Sequence, residues 1–468
     1  MNEVHKVNFV HLAEMRRNMD KIRWSRKVLA VFLAVAVMVS CSGCIGIFSE
    51  KAELKKFETS SPKSPQKKEE KIVKIDWKES LELAGDYLEN MTPEEKVGQI
   101  FMVNLEQIDN RKGSFYEFRK ATETMKGNIA KYHVGGVILF SRNIAKRKQT
   151  VNLTTGLLHA DRTPLFIAVD EEGGRVARVA SNPKMKTTSF PTAEEIGKTK
   201  DDEYTYNMGK TIGSEIRELG FNVNFAPVAD VKTSELNEEI GDRSFGSSPD
   251  KVSEYVSAFI QGMDKVGVCG TVKHFPGQGS SDGDTHQGSV DIDSSITMLR
   301  KNDFVPFQAG IAAGADFAMV SHISVSKVTE SAEPASMSEL IMQTILREEL
   351  GFEKIIITDA FDMASITTDY TSAEAAYNAF MGGADIILMP QNFEEAYQEI
   401  LSKVKDGTIE EDRLDSSVLR ILAVKIQRGI LPKEQILSTP APSVSPTPEP
   451  TPLPKKQKKE KQRKKKAG

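Results

Sequence analysis

Eight short apolar runs, rich in β-branched and aromatic residues, alternate with longer helix-like stretches through the middle of this chain. They fall at 102–105, 136–140, 165–170, 221–225, 270–275, 317–322, 354–359 and 385–389. Helical patterns lie between them, for example at 249–265, 339–350 and 372–381. Strands that alternate with helices build parallel sheets, because each crossover helix must cover a sheet face. Eight such units over roughly 350 residues predict an α/β fold of the (β/α)8 TIM-barrel class, forming a single domain. A doubly wound open sheet is the competing arrangement. No Gly-x-Gly-x-x-Gly follows the first run, so dinucleotide binding has no support and no cofactor is expected. Thr92-Pro93-Glu94-Glu95 marks an early helix start: Thr92 caps, Pro93 suits the first turn, and Glu95 occupies the capping-box position.

The chain is longer than one barrel needs, and composition shows where the excess lies. Lys21, Arg23, Arg26 and Lys27 precede an apolar run at 28–39, followed by Ser40-Cys41-Ser42-Gly43-Cys44. A basic flank, a dozen apolar residues and small residues at the end make an export signal. Met15 or Met19 would set that signal at a more ordinary distance from the start. Cys41 and Cys44 resemble the cysteine of a bacterial lipoprotein signal. An uncleaved anchor is the alternative, although the run is shorter than the ~20 residues that span a bilayer. Of three cysteines only Cys269 lies in the body, so no disulfide framework is expected there. The expected segments are a signal at 1–44, a polar tether at 45–76 and the barrel at 77–432. A Pro-rich linker at 433–454 and a basic tail at 455–468 follow. In the tail, Lys455 to Lys466 is opposed only by Glu460, which leaves the rest of the chain net acidic. An acidic body, and a tail with no aromatic residues interleaved, argue against nucleic acid as partner. The tail suits an anionic wall or membrane surface, and an extracytoplasmic, tethered or secreted monomer is expected.

The C-terminal ends of the runs are polar. Phe140 leads to Ser141-Arg142-Asn143, Val169 to Asp170-Glu171-Glu172, Val272 to Lys273-His274, Val320 to Ser321-His322, and Ile357 to Thr358-Asp359. In a barrel these ends ring one mouth, where active sites lie.

Two chemistries fit such a mouth. His274, His286 and His322, with Asp170, Asp284 and Asp359, offer metal-ligand types. The chain has no His-x-His strand pair and no His-Glu-x-x-His helix, so no metal is expected. The other chemistry is glycoside cleavage, which needs a carboxylate for the anomeric carbon and a proton donor for the leaving oxygen. Asp359, at the end of an Ile-Ile-Ile run, can be that carboxylate. The Gly/Ser-rich stretch 277–286, read as a mobile loop, ends in Asp284-Thr285-His286. An adjacent carboxylate raises a histidine above its ordinary ~6.5, keeping a proton to donate. Asp284 would orient and tune His286, and His322 reads as a hydrogen-bonded scaffold residue.

The run Lys273-His274-Phe275-Pro276-Gly277, continuing to Asp284-x-His286, resembles the signature of the bacterial β-N-acetylhexosaminidases of glycoside hydrolase family 3. So do Met91-Thr92-x-Glu94-Glu95-Lys96, Gly135 to Phe140, Asp170-x-Glu172-Gly173-Gly174-Arg175, Phe225-Ala226-Pro227-Val228-x-Asp230, Gly241-x-Arg243-Ser244 and Thr358-Asp359. The resemblance covers about 90–390. It implies Asp359 as nucleophile of a glycosyl-enzyme, His286 with Asp284 as acid/base, and Asp170, Arg243, Lys273 and His274 as sugar-binding residues. It also implies N-acetylglucosamine-containing wall glycans or muropeptides as substrate. Gln278, Ser280-Ser281, Glu171 and Gln287-Gly288-Ser289 depart from the family's usual residues, which bears on the aglycone. A β-glucosidase or xylosidase, a phosphorylase of the same family, and a non-catalytic wall-binding lipoprotein are the rival readings.

Overall fold

The computed structural model describes residues 75–199 and 201–437. The signal with Cys41 and Cys44, nearly all of the 45–76 tether, the Pro-rich stretch from 438 and the basic tail lie outside the described residues. Among the described residues no helix is long and apolar enough to cross a membrane.

Eight strands close into a parallel barrel: β1 (Phe101–Val103), β2 (Gly136–Ile138), β3 (Phe166–Val169), β6 (Val223–Asn224), β7 (Cys269–Phe275), β8 (Phe317–Val320), β9 (Ile355–Ala360) and β10 (Ile386–Leu388). β1 closes the ring by pairing with β10 on one side and β2 on the other. Each strand falls on one of the eight apolar runs. They read as near-continuous apolar runs because helices outside and side chains inside bury both faces. Phe166 on β3 and Phe317 on β8, strands that are not neighbours, meet edge-on with ring centroids 5.2 Å apart. The barrel interior is therefore packed rather than hollow.

The helices follow the same logic. Helix Pro249–Lys265 buries Val252, Tyr255, Val256, Phe259, Ile260 and Met263, the three- and four-residue spacing of one helical face. Helix Pro93–Gln99 begins as its sequence predicts. Glu95 N–H donates to Thr92 Oγ1 (3.2 Å), and Thr92 N–H donates to the Glu95 carboxylate (2.8 Å). Such a cap contributes about 1 kcal/mol.

Four local readings differ. The run at 102–105 ends as strand at Val103, because Asn104 caps helix Leu105–Ile108 by accepting from Gln107 N–H (3.0 Å). The polar residues after Asp170 form a hairpin, with β4 (Glu171–Gly173) antiparallel to β5 (Val176–Ala177). Residues 340–349 form a π-helix, Leu340–Glu349. The linker expected from 433 opens with a helix, Lys433–Leu437, tied to helix Trp77–Leu88 by Lys433 Nζ–Glu79 Oε1 at 2.6 Å.

The end of the barrel opposite the mouth holds buried ion pairs. Asp316 faces Lys354 and Arg428, and Asp385 faces Arg347 and Arg420. Charged groups there serve stability, since the chemistry of this fold sits at the other end.

Candidate active site

The mouth opens into a cavity of about 1040 Å³ lined by Asp170, Glu172, Arg243, Lys273, His274, Asp284, His286 and Asp359, among others. The strand ends and the loops after them bring all seven expected site residues to one wall-to-wall cavity.

β7 carries Lys273 and His274 at its C-terminal end, with the Lys273–His274 peptide cis. Lys273 Nζ lies 3.1 Å from Asp170 Oδ1 and 2.7 Å from Glu172 Oε1. Arg243 binds the same Glu172 in a fork: Nη2 donates to Oε1 (2.8 Å) and Nε to Oε2 (2.9 Å). Asp170 and Arg243 form no ion pair with each other. Instead Glu172 stands between the cations and Asp170 pairs with Lys273. Burial pushes the Glu172 carboxyl up, but the facing Arg243 and Lys273 outweigh it and hold it below the ordinary carboxylate range.

The orientation of His274 is set from behind. Asp230, fully buried after β6, accepts from His274 Nδ1–H (2.7 Å), from the His274 backbone N–H (3.2 Å) and from Gln278 N–H (2.7 Å). The other ring nitrogen, Nε2, then accepts from Arg243 Nη2–H (3.3 Å). His322 is likewise committed. Its Nε2–H donates to the Ala360 carbonyl (3.0 Å), and Nδ1 accepts from Ser336 Oγ–H (2.8 Å). It is thus the scaffold residue expected, packed under the strand end that carries Asp359. With both ring nitrogens engaged, neither His274 nor His322 is a free metal ligand.

Asp359 lies on β9 and accepts the Ala360 N–H (2.8 Å). Burial raises its carboxyl, yet the groups that face it, among them the Ala360 N–H and Lys273, hold it below the ordinary value. It is an anion at neutral pH, as a nucleophile requires.

The loop after β7 carries Asp284 and His286. Asp284 Oδ1 lies 3.0 Å from His286 Nδ1 and also accepts the His286 backbone N–H (2.9 Å). The base of this loop is pinned, contrary to the expectation of a mobile stretch. Gln278 and Thr285 are buried, and Asn237 Nδ2–H donates to the Gln278 carbonyl (2.7 Å). Gly279 is required there, because a Cβ would sit 2.0 Å from the Val231 carbonyl oxygen. His286 itself remains exposed, with 61% of its side chain open to solvent.

Glu172, Asp230 and Glu239 complete the site beyond the seven expected residues. Glu172 was legible, being a second acid beside Asp170 at a strand end. Asp230 followed an apolar run but had no partner in sight. Glu239 gave no signal, since it lies in an irregular stretch of polar residues. Among the described residues, Glu239, Asp284 and His286 also form one group that could hold a metal ion, with ligand atoms within 4.8 Å of one another.

The chain is similar to several known proteins. β-Hexosaminidase A of Pseudoalteromonas piscicida is 35% identical over 325 residues, 64% of this chain and 54% of that protein. This chain thus spans about half the length of that relative. A β-hexosaminidase of Stenotrophomonas maltophilia is 34% identical over 275 residues, 57% of this chain and 80% of that one. The structure of a glycoside hydrolase family 3 β-N-acetylglucosaminidase from Paenibacillus superposes with a TM-score of 0.68 at 33% identity, covering 73% of this chain and 63% of that one. The family model for the glycosyl hydrolase family 3 N-terminal domain matches residues 92–424. That span holds every barrel strand and every residue of the mouth described above, and the chain belongs to glycosyl hydrolase family 3.

Proposed function

We propose that the chain is a retaining exo-β-N-acetylglucosaminidase that removes terminal N-acetylglucosamine from cell-wall fragments. One observation carries the reading: an anionic strand-end carboxylate, Asp359, and a carboxylate-paired imidazole, His286, line the same cavity as a buried Asp170–Lys273–Glu172–Arg243 network. Asp359 attacks the anomeric carbon while His286 gives its proton to the departing oxygen. His286 then takes a proton from water, which attacks the same carbon and releases sugar with its original configuration. The paired cations and carboxylates grip hydroxyls that reorient as the ring flattens, so their hold strengthens in the transition state. The names of the relatives, β-hexosaminidase and β-N-acetylglucosaminidase, support the sugar. The signal expected over 1–44 extends the proposal to an exported, surface-tethered protein.

The test is the full chain, treated with EDTA, against aryl β-glycosides of N-acetylglucosamine, glucose and xylose, with and without phosphate. Cleavage of the N-acetylglucosaminide with the β-anomer formed first is expected. No cleavage, the α-anomer first, or turnover only after metal is added would overturn it. Release of sugar phosphate would make the chain a phosphorylase.

A further inference from the structure

Glu239 lies between β6 and helix Pro249–Lys265, and its side chain is only 7% exposed. Oε2 accepts from Thr285 N–H (2.9 Å) and Gln278 Nε2–H (2.6 Å), and Oε1 accepts from Thr285 Oγ–H (2.7 Å). Oε1 also lies 3.3 Å from His286 Nδ1, the nitrogen that Asp284 Oδ1 approaches to 3.0 Å. From the opposite side, the Glu239 carbonyl accepts from Arg243 Nη1–H (3.2 Å) and Arg175 Nη2–H (2.7 Å). One residue therefore touches both the loop that carries the imidazole and the arginine of the buried network.

A carboxylate this buried is costly unless a cation answers it. Among the described residues its ion pair is with His286. Packing alone does not call for a carboxylate here. The two N–H groups that meet Oε2 would be served by a neutral acceptor as well, and the imidazolium facing Oε1 is what answers the charge.

We propose that Glu239 is a positioning residue for the acid/base step, which clamps the loop 277–289 across the mouth and shares the His286 Nδ1–H with Asp284 so that the ring keeps its proton until the leaving oxygen takes it. The proposal rests on the acid/base reading of His286 given above. The Glu239 hydrogen bond pushes His286 up to about 9 against burial, with Asp284 adding to it. Asp362 after β9 and His322 after β8 bear on the ring from farther away, and His274 bears on Glu239. Both carboxylates face Nδ1, but Glu239 is 7% exposed against 34% for Asp284, so its charge is less screened by solvent and its removal must lower the pH at which His286 loses its proton.

The experiment measures kcat/KM against pH for the full chain with an aryl β-N-acetylglucosaminide bearing a poor leaving group. Wild type, Glu239→Gln, Asp284→Asn and His286→Ala are compared. The alkaline limb of Glu239→Gln is expected to fall by about one pH unit or more, with kcat reduced more than KM is raised. Asp284→Asn is expected to keep its limb above the ordinary histidine value of ~6.5, and it decides the matter if Glu239→Gln does not fold. An unmoved limb in Glu239→Gln, or a limb at the ordinary value in Asp284→Asn, overturns the proposal. His286→Ala separates the two claims. If it retains the wild-type limb, the acid/base reading itself fails, and Glu239 with it. If it loses the limb while Glu239→Gln keeps it, the Glu239 proposal alone fails.

Discussion

Replacing Glu172 with Gln tests how far one buried carboxylate holds Arg243 and, together with Asp170, Lys273. Glu172 accepts two charge-assisted hydrogen bonds from Arg243, at 2.8 and 2.9 Å, and forms an ion pair with Lys273 at 2.7 Å. Its side chain is 7% exposed and that of Lys273 only 3%, so solvent cannot replace the lost charge. Gln preserves the volume and one acceptor, but it turns an amide N–H₂ toward a cation. Removing one partner from a buried pair costs about 3–5 kcal/mol, because the remaining charge stays buried and unanswered. With one acceptor kept, a loss near the lower end, about 3 kcal/mol, is expected in urea denaturation at pH 7. KM should rise about tenfold or more, since Lys273 and Arg243 no longer hold their positions. The sign with pH is defined. Glu172 is depressed in the folded state, so its contribution is full above the ordinary carboxylate value and is lost as pH falls through the folded value. The gap between wild type and variant should narrow on acidification. A variant within about 0.5 kcal/mol of wild type and with unchanged KM would refute the reasoning.

Asp359→Asn should abolish turnover while the sugar still binds by calorimetry, and wild-type rates would remove Asp359 from the nucleophile role. His286→Ala should slow poor leaving groups far more than activated aryl ones, since only the former need the proton; equal loss would speak against an acid. Asp385→Asn should cost on the order of 2 kcal/mol at pH 7, because Arg420 and Arg347 overcome burial and hold that carboxyl down to about 2. That deficit should shrink as pH falls from 4 toward 2, and a deficit that is flat with pH would show another cause.

The barrel was legible because its signal is repeated: eight buried parallel strands each had to be apolar, and each punctuated the chain the same way. The site was legible where it sat on those strand ends, as with Asp170, Lys273, His274 and Asp359. Arg243, Asp284 and His286 rested on the family resemblance and their local spacing instead. Glu239 stayed hidden for a physical reason. Its partners Gln278, Thr285 and His286 come from a different loop, 39 to 47 positions away in sequence, and no periodicity links two irregular segments. Gln278, a departure from the family's usual residue, becomes intelligible once its amide is seen to donate to Glu239. The hairpin β4–β5 was missed similarly, because Glu171 folds it by accepting the Val179 (2.7 Å) and Ala180 (2.9 Å) N–H groups from within the core.

The central claim is that Asp359 forms a covalent bond to the sugar. The most direct measurement is mass spectrometry of the intact protein and its peptides after reaction with a fluorinated N-acetylglucosaminyl fluoride, which forms a glycosyl-enzyme quickly and hydrolyses it slowly. The account predicts one added fluorosugar, on the peptide containing Asp359, and none in Asp359→Asn. Inactivation with the label on Asp170, Glu172 or Glu239, or turnover with no covalent adduct at all, would contradict it.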